Sequence, residues 1–278
     1  MTYRDVLVTT GTMTADLERC RLTARLARLH GSRLTGVFLA SDFFRLYGAA
    51  DSLSMLSPGS VEQLLKDLRA SITEAGEKAR AGFEAAAAEF GVEAEWLAVN
   101  GDDAQGLVDL ARRSDLTVCA PETSASYGQN QVTAAQVGLG SGGPVLVMPR
   151  DAKVAEVGRR ILVAWNGSRE ASRALRDAWP LVEAAEAVHV VSVGPSGAMA
   201  AEPRLQRYFE RHGRQADVIL DPAEDAAAGE ALLRHVATLG ADLVVMGLYG
   251  RPRLQELVLG GASRTVLAKS PVPVFVSH

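Results

Sequence analysis

Two stretches of this chain carry the same succession of residue patterns, and that internal duplication constrains the fold more than any other feature. Asp5-Val6-Leu7-Val8-Thr9-Thr10 and Arg160-Ile161-Leu162-Val163-Ala164-Trp165 both read as short buried strands, each followed by polar turn residues and an Ala/Leu/Arg-rich helical stretch. In the second copy Ala171, Ala174, Leu175, Ala178 and Val182 fall on one helical face. Leu22, Leu26 and Leu29 take that role in the first copy, and His30-Gly31 supplies a stop. Further on, each copy runs a helix into a buried strand through an aspartate, Asp115 and Asp242. Each ends in a Pro-flanked apolar strand, Pro144-Val145-Leu146-Val147-Met148-Pro149 and Pro271-Val272-Pro273-Val274-Phe275-Val276.

Each half therefore reads β-α-β-α-β-α-β-α-β. Continuous apolar strands alternating with amphipathic helices predict an α/β protein of two tandem, doubly wound, five-stranded parallel sheets. The expected units are residues 1–150 and 158–278, with a polar linker at 150–158. The apolar final strands, 145–148 and 274–277, would otherwise be open sheet edges, so they are the expected joint of an internal pseudo-dimer. A long Ala-rich helix is expected over 72–90, and a Ser/Gly/Pro-punctuated loop over 40–60.

Composition removes several classes of function. Hydrophobic residues make up 47% of the 278 and charged residues 22%, which excludes wholesale disorder. The 29 basic and 33 acidic residues are scattered, giving a net charge of −4 and no electrostatic footprint for nucleic acid or an anionic membrane. With no long apolar run and Met1-Thr2-Tyr3-Arg4 leading straight into a strand, the expectation is a cytoplasmic protein without signal peptide or membrane span. Cys20 and Cys119 lack a Cys-x-x-Cys spacing and are expected as free thiols.

Named catalytic motifs are missing too. There is no Gly-x4-Gly-Lys-[Ser/Thr], no Gly-x-Gly-x-x-Gly after the first strand, no Gly-x-Ser-x-Gly and no His-Glu-x-x-His. The five histidines are dispersed. Asp221 and the Asn100-Gly101-Asp102-Asp103 run follow strands, where a capping role is expected. The basic stretch 204–214 carries Leu205, Tyr208 and Phe209 at helical spacing, which an amphipathic helix explains. The glycines of 138–143 precede the last strand of the first half and are expected to form a turn.

In an open parallel sheet, ligands bind at the carboxyl ends of the strands beside the topological switch point. There the second half places Gly247-Leu248-Tyr249-Gly250, nine residues, and then Gly260-Gly261-Ala262-Ser263-Arg264. Glycines at a strand exit and a helix start commonly only make turns; a run of this form in this position also suits an anion, because a helix start offers unpaired N–H groups.

This Gly-x2-Gly-x9-Gly pattern, followed by a helix and a Pro-Val-x-Val strand, resembles the universal stress protein family. The duplicated length is similar to its tandem members. The resemblance implies an adenine nucleotide alpha hydrolase-like fold, a five-stranded parallel sheet between helices. It also implies a site for ATP or AMP, with magnesium accompanying ATP. Carried over, Ala164 and Asn166 would line the base and ribose end, and Val193 would close the adenine side. Met246, Gly247, Gly250, Gly260, Gly261, Ala262 and Ser263 would form the remainder. The chain departs from the family's ATP binders in having Asn166 for Asp and Gly261 for Ser or Thr. The first half departs further, with Ala120-Pro121-Glu122 in place of the first glycine pair, and is expected to be degenerate as a nucleotide site.

Three readings follow from the resemblance and the residues together. One is a non-enzymatic stress-response module, a compact monomer or homodimer with unidentified protein partners, binding ATP, ADP or AMP in its second half. The others are a slow ATP hydrolase and a nucleotide-free interaction module.

Overall fold

The computed structural model describes residues 2–40, 57–100, 104–120, 132–149, 156–194, 203–248 and 261–278. The first half runs β1 (Asp5–Thr10), α1 (Thr14–His30), β2 (Arg33–Ala40), α2 (Pro58–Phe90), β3 (Ala94–Asn100), α3 (Ala104–Ala111), β4 (Leu116–Cys119), α4 (Ala134–Ser141) and β5 (Val145–Val147). The second runs β6 (Arg160–Ala164), α5 (Arg169–Asp177), α6 (Trp179–Ala184), β7 (Ala187–Val193), α7 (Pro203–Arg211) and β8 (Asp217–Asp221). It then continues through α8 (Ala228–Leu239), β9 (Leu243–Gly247), α9 (Ala262–Lys269) and β10 (Val274–Ser277).

The ten strands among the described residues form one sheet in the order β3-β2-β1-β4-β5-β10-β9-β6-β7-β8. Within each half the pairing is parallel and the order is the same. The halves meet where β5 and β10 pair antiparallel, Val145 opposite Val276, Leu146 opposite Phe275 and Val147 opposite Val274. The joint expected from the two apolar edges is thus the one observed. Two side-chain bonds cross it, Tyr3 donating to the Asp177 carbonyl at 2.8 Å and Arg173 to the Gly142 carbonyl at 2.8 Å, and within the second half Ser277 at the end of β10 donates to the Asp177 carboxylate at 2.6 Å.

Alternate strand residues point to opposite faces, and both faces are covered. Val6, Val8, Ile161, Val163 and Phe275 pack with α1, α2 and α5 to α7; Leu7, Val145, Leu162, Val244 and Val276 pack with α3, α4, α8 and α9. This is the three-layer arrangement that near-continuous apolar strands require.

The two aspartates shared by the copies perform one structural task twice. Asp115 accepts the amides of Arg4 and Asp5 at 2.6 and 3.1 Å; Asp242 accepts those of Gly158, Arg159 and Arg160 at 2.9 to 3.1 Å. Each carboxylate therefore fixes where the first strand of its half begins. Bonds to a charged acceptor contribute more than neutral ones, so Asp242→Ala is expected to lower unfolding stability by about 1.5–3 kcal/mol. Urea titration at neutral pH measures it, and a change within error would show that water replaces the carboxylate.

Four expectations need correction. The long helix begins at Pro58, not near 72, because Ser57 caps it by accepting the Ser60 amide and proline suits a first helical position. The helix after β6 is broken at Ala178, where α6 restarts at Trp179 followed by Pro180, which has no N–H to give. Leu29 is exposed; the buried arc of α1 runs through Arg19, Cys20, Thr23, Ala24 and Ala27, and Leu29 lies past its edge on the last turn. Gly138 and Gly140 lie inside α4, whose Thr133–Gln136 capping box starts the helix. Gly138 lets α4 close on Leu248, its missing Cβ falling 2.9 Å from that side chain, and only Gly142 takes a left-handed turn conformation. The linker at 150–155 and the loop over 41–56 lie outside the described residues.

Candidate functional site

The second-half sheet reverses direction of growth at β6, with β7 on one side and β9 on the other. At such a switch point a crevice opens over the carboxyl ends of the strands. Ala164 ends β6, Val193 ends β7, and Met246-Gly247 ends β9. Met246 is buried, whereas Ala164, Val193 and Ala262 are half-buried against the same apolar layer. Ala164, Val193 and Met246 thus stand at or next to the ends of neighbouring strands, and Ala262 packs on the same apolar layer.

Helix α9 opens beside them. Gly261 is its N-cap, exposed, with φ −59° and ψ 156°, and it provides no side-chain acceptor. A Cβ built there meets no atom of the described residues within 4 Å. The first amides of a helix lack partners within it and carry the positive end of its dipole, so an uncapped start favours an anion. The Ser263 hydroxyl donates to the Gly247 carbonyl at 3.2 Å, which ties the first turn of α9 to the end of β9.

Gly247 also has a packing reason to be glycine. A Cβ there would lie 2.6 Å from the Ala171 amide nitrogen and 2.7 Å from the Glu170 carbonyl carbon. The N-terminus of α5 therefore rests directly on the end of β9. Ser168 caps that helix by accepting the Ala171 amide at 3.1 Å, and Asn166 accepts the Ser168 amide at 3.1 Å. Asn166 is exposed at the rim. Gly250 and Gly260 lie outside the described residues.

Sequence reasoning missed Glu170, a buried carboxylate beside Gly247. Burial alone would raise its pKa. Its own backbone N–H, Arg169 and, further off, His278 outweigh that and hold the carboxyl below the ordinary glutamate range. An alternation of Arg169-Glu170 at a helix start looks like surface charge, so only the approach of β9 reveals its burial. Asp221, read as a cap, accepts the Ala223 amide at 2.8 Å and pairs with His235 at 2.9 Å. It closes a turn rather than capping α8, whose N-cap is Ala227.

The first half holds Ala120 where the second holds Gly247, since Val118 pairs with Val8 as Val245 pairs with Val163. Residues 121–131 lie outside the described set. Among the described residues no cluster of three or more His, Cys, Asp or Glu is placed to hold a metal ion, and no helix is long and apolar enough to cross a membrane.

Residues 158–278 match the Universal stress protein family. A universal stress protein of Thermus aquaticus is 30% identical over 133 residues, covering 42% of this chain and 97% of that protein. This chain belongs to the universal stress protein family. A second member of the family, from Synechocystis, is 29% identical over 137 residues, which span 48% of this chain and 46% of that relative. The chain thus aligns with about half the length of that curated relative. Among solved structures, a universal stress protein from Archaeoglobus fulgidus DSM 4304 matches with a TM-score of 0.70 at 19% identity, covering 98% of this chain and 96% of that one. That likeness extends the family fold across both halves.

Proposed function

We propose that this stress protein is a non-enzymatic module that holds an adenine nucleotide (ATP, ADP or AMP) in its second half. The carrying observation is the start of α9, where Gly261 supplies no side-chain cap and Ser263 ties the first turn to the end of β9. On this reading the phosphates lie on the opening amides of α9. The adenine lies on the apolar surface of Ala164, Val193, Met246 and Ala262, and Asn166 reaches the ribose from the rim. Gly250 and Gly260 complete the phosphate side, and magnesium would accompany ATP.

Gly261 allows a test in which binding and stability move in opposite directions. Gly261→Asp supplies a capping carboxylate, which stabilises a helix start by a few tenths of a kcal/mol over glycine. The same negative charge repels phosphate, so nucleotide affinity should fall by about tenfold or more. Gly261→Ser adds an equally good cap with a donor hydroxyl and should tighten binding by about three- to tenfold. Isothermal titration with ATP, ADP and AMP, alongside thermal melting, reads both effects. Equal affinities for the wild type and Gly261→Asp would remove the site from α9. Absence of heat and thermal shift at millimolar nucleotide would leave a nucleotide-free interaction module. Phosphate release on incubation with ATP and magnesium would instead make the protein a slow hydrolase.

A further inference from the structure

The corresponding crevice of the first half is built from different side chains, and the alignment between halves is unambiguous there. Val8 and Val163 hold the same register position, and each is followed five residues later by the N-cap of the next helix, Met13 and Ser168. Counting onward, Gly11 matches Asn166, Asp16 matches Ala171 and Arg19 matches Ala174. Two small residues in the second half are therefore an ion pair in the first.

That pair is inward. Arg19 is 4% exposed and Asp16 18%, with 2.6 Å between Nη2 and Oδ1. The Arg19 Nε donates at 2.8 Å to the carbonyl of Thr9, the counterpart of Ala164. The other Asp16 oxygen accepts the Met13 amide at 3.0 Å, which holds the carboxylate over Gly11 so closely that a Cβ at Gly11 would collide with it. Around them the hydroxyls are already committed, Thr10 to the Val37 carbonyl at 3.1 Å and Thr9 towards that of Val118 at 3.5 Å. Cys119, the counterpart of Met246, is buried at the end of β4 within the electrostatic reach of Arg19.

We infer that Arg19 and Asp16 close the switch-point crevice of the first half from within, so that no small-molecule ligand seats between the ends of β1 and β4. The guanidinium–carboxylate pair provides the charge neutralisation and hydrogen bonds that a bound ligand would otherwise supply. Ala120 stands exposed where β9 ends in Gly247, so the close seat that α5 has on Gly247 has no glycine to match it in the first half. The closure goes beyond the nucleotide reading and stands whether or not the second half binds one.

Cys119 reports on it without any nucleotide. Burial pushes its thiol up to about 12, and a thiol is reactive only as accessible thiolate. The test is labelling of the folded full chain with an aromatic disulfide reagent, with the modified cysteine identified by mass spectrometry. Cys20, 1% exposed on the inner face of α1, serves as the internal gauge of unfolding. Asp16→Ala combined with Arg19→Ala installs the second-half residues, and the rate at Cys119 relative to Cys20 is expected to rise about tenfold or more. Arg19→Lys keeps the charge opposite Asp16 and should leave Cys119 protected. Fast labelling of Cys119 in the wild type, or an unchanged ratio in the double alanine variant, would overturn the closure. So would two nucleotides bound per wild-type chain.

Discussion

Phe275→Ala is expected to lower the unfolding free energy by about 3–5 kcal/mol, the range for emptying a fully buried aromatic site. Phe275 is 0% exposed and stands on β10 between Val245 of β9 and Leu146 of β5. Its ring therefore supports the row of contacts that crosses from one half to the other. The backbone pairing around it is fixed on both sides, so the site has little freedom to collapse, which places the loss toward the upper end. Guanidinium titration followed by far-ultraviolet circular dichroism measures the change. A loss below about 1 kcal/mol would mean that the ring is not part of the packed joint.

Phe83→Ala should cost a comparable 3–5 kcal/mol, and its effect is coupled to a glycine on the sheet. Phe83, 1% exposed on α2, lies over Gly36 of β2, where a Cβ would sit 2.8 Å from ring carbons. Its ring is also tilted against Trp96 with centroids 5.7 Å apart. Gly36→Ala alone should therefore cost about 1–3 kcal/mol by overpacking. In the Phe83→Ala background the added methyl enters vacated space, so the two losses should fall short of additivity by a measurable interaction energy. Strict additivity in the double-mutant cycle would show that the two positions do not touch.

Much of this architecture is legible in the sequence. Apolar strand runs such as Ile161 to Val163 are covered on both faces and so announce a parallel sheet directly. The Pro-flanked final strands likewise announced the joint, because an apolar edge must be covered. What escaped detection depends on tertiary neighbours. Nothing in the sequence around Gly138 distinguishes a turn glycine from one that lets a helix approach Leu248. The start of α2 at Pro58 was hidden because much of its early surface faces solvent and gives little periodic signal. At the candidate site, the strand pattern alone located Ala164, Val193 and Met246 at or next to strand ends and Ala262 at a helix start. The Arg19–Asp16 pair could not be found that way, since an i, i+3 ion pair looks like ordinary helix-surface charge until a strand end closes over it.

The antiparallel meeting of β5 and β10 has a geometric consequence. Strands in the two halves point in opposite directions, so the end of β4 and the end of β9 emerge at opposite rims of a single slab. Whatever docks beside Gly261 therefore lies at the rim away from the Arg19–Asp16 pair. Any influence of one on the other would have to travel through the shared backbone ladder.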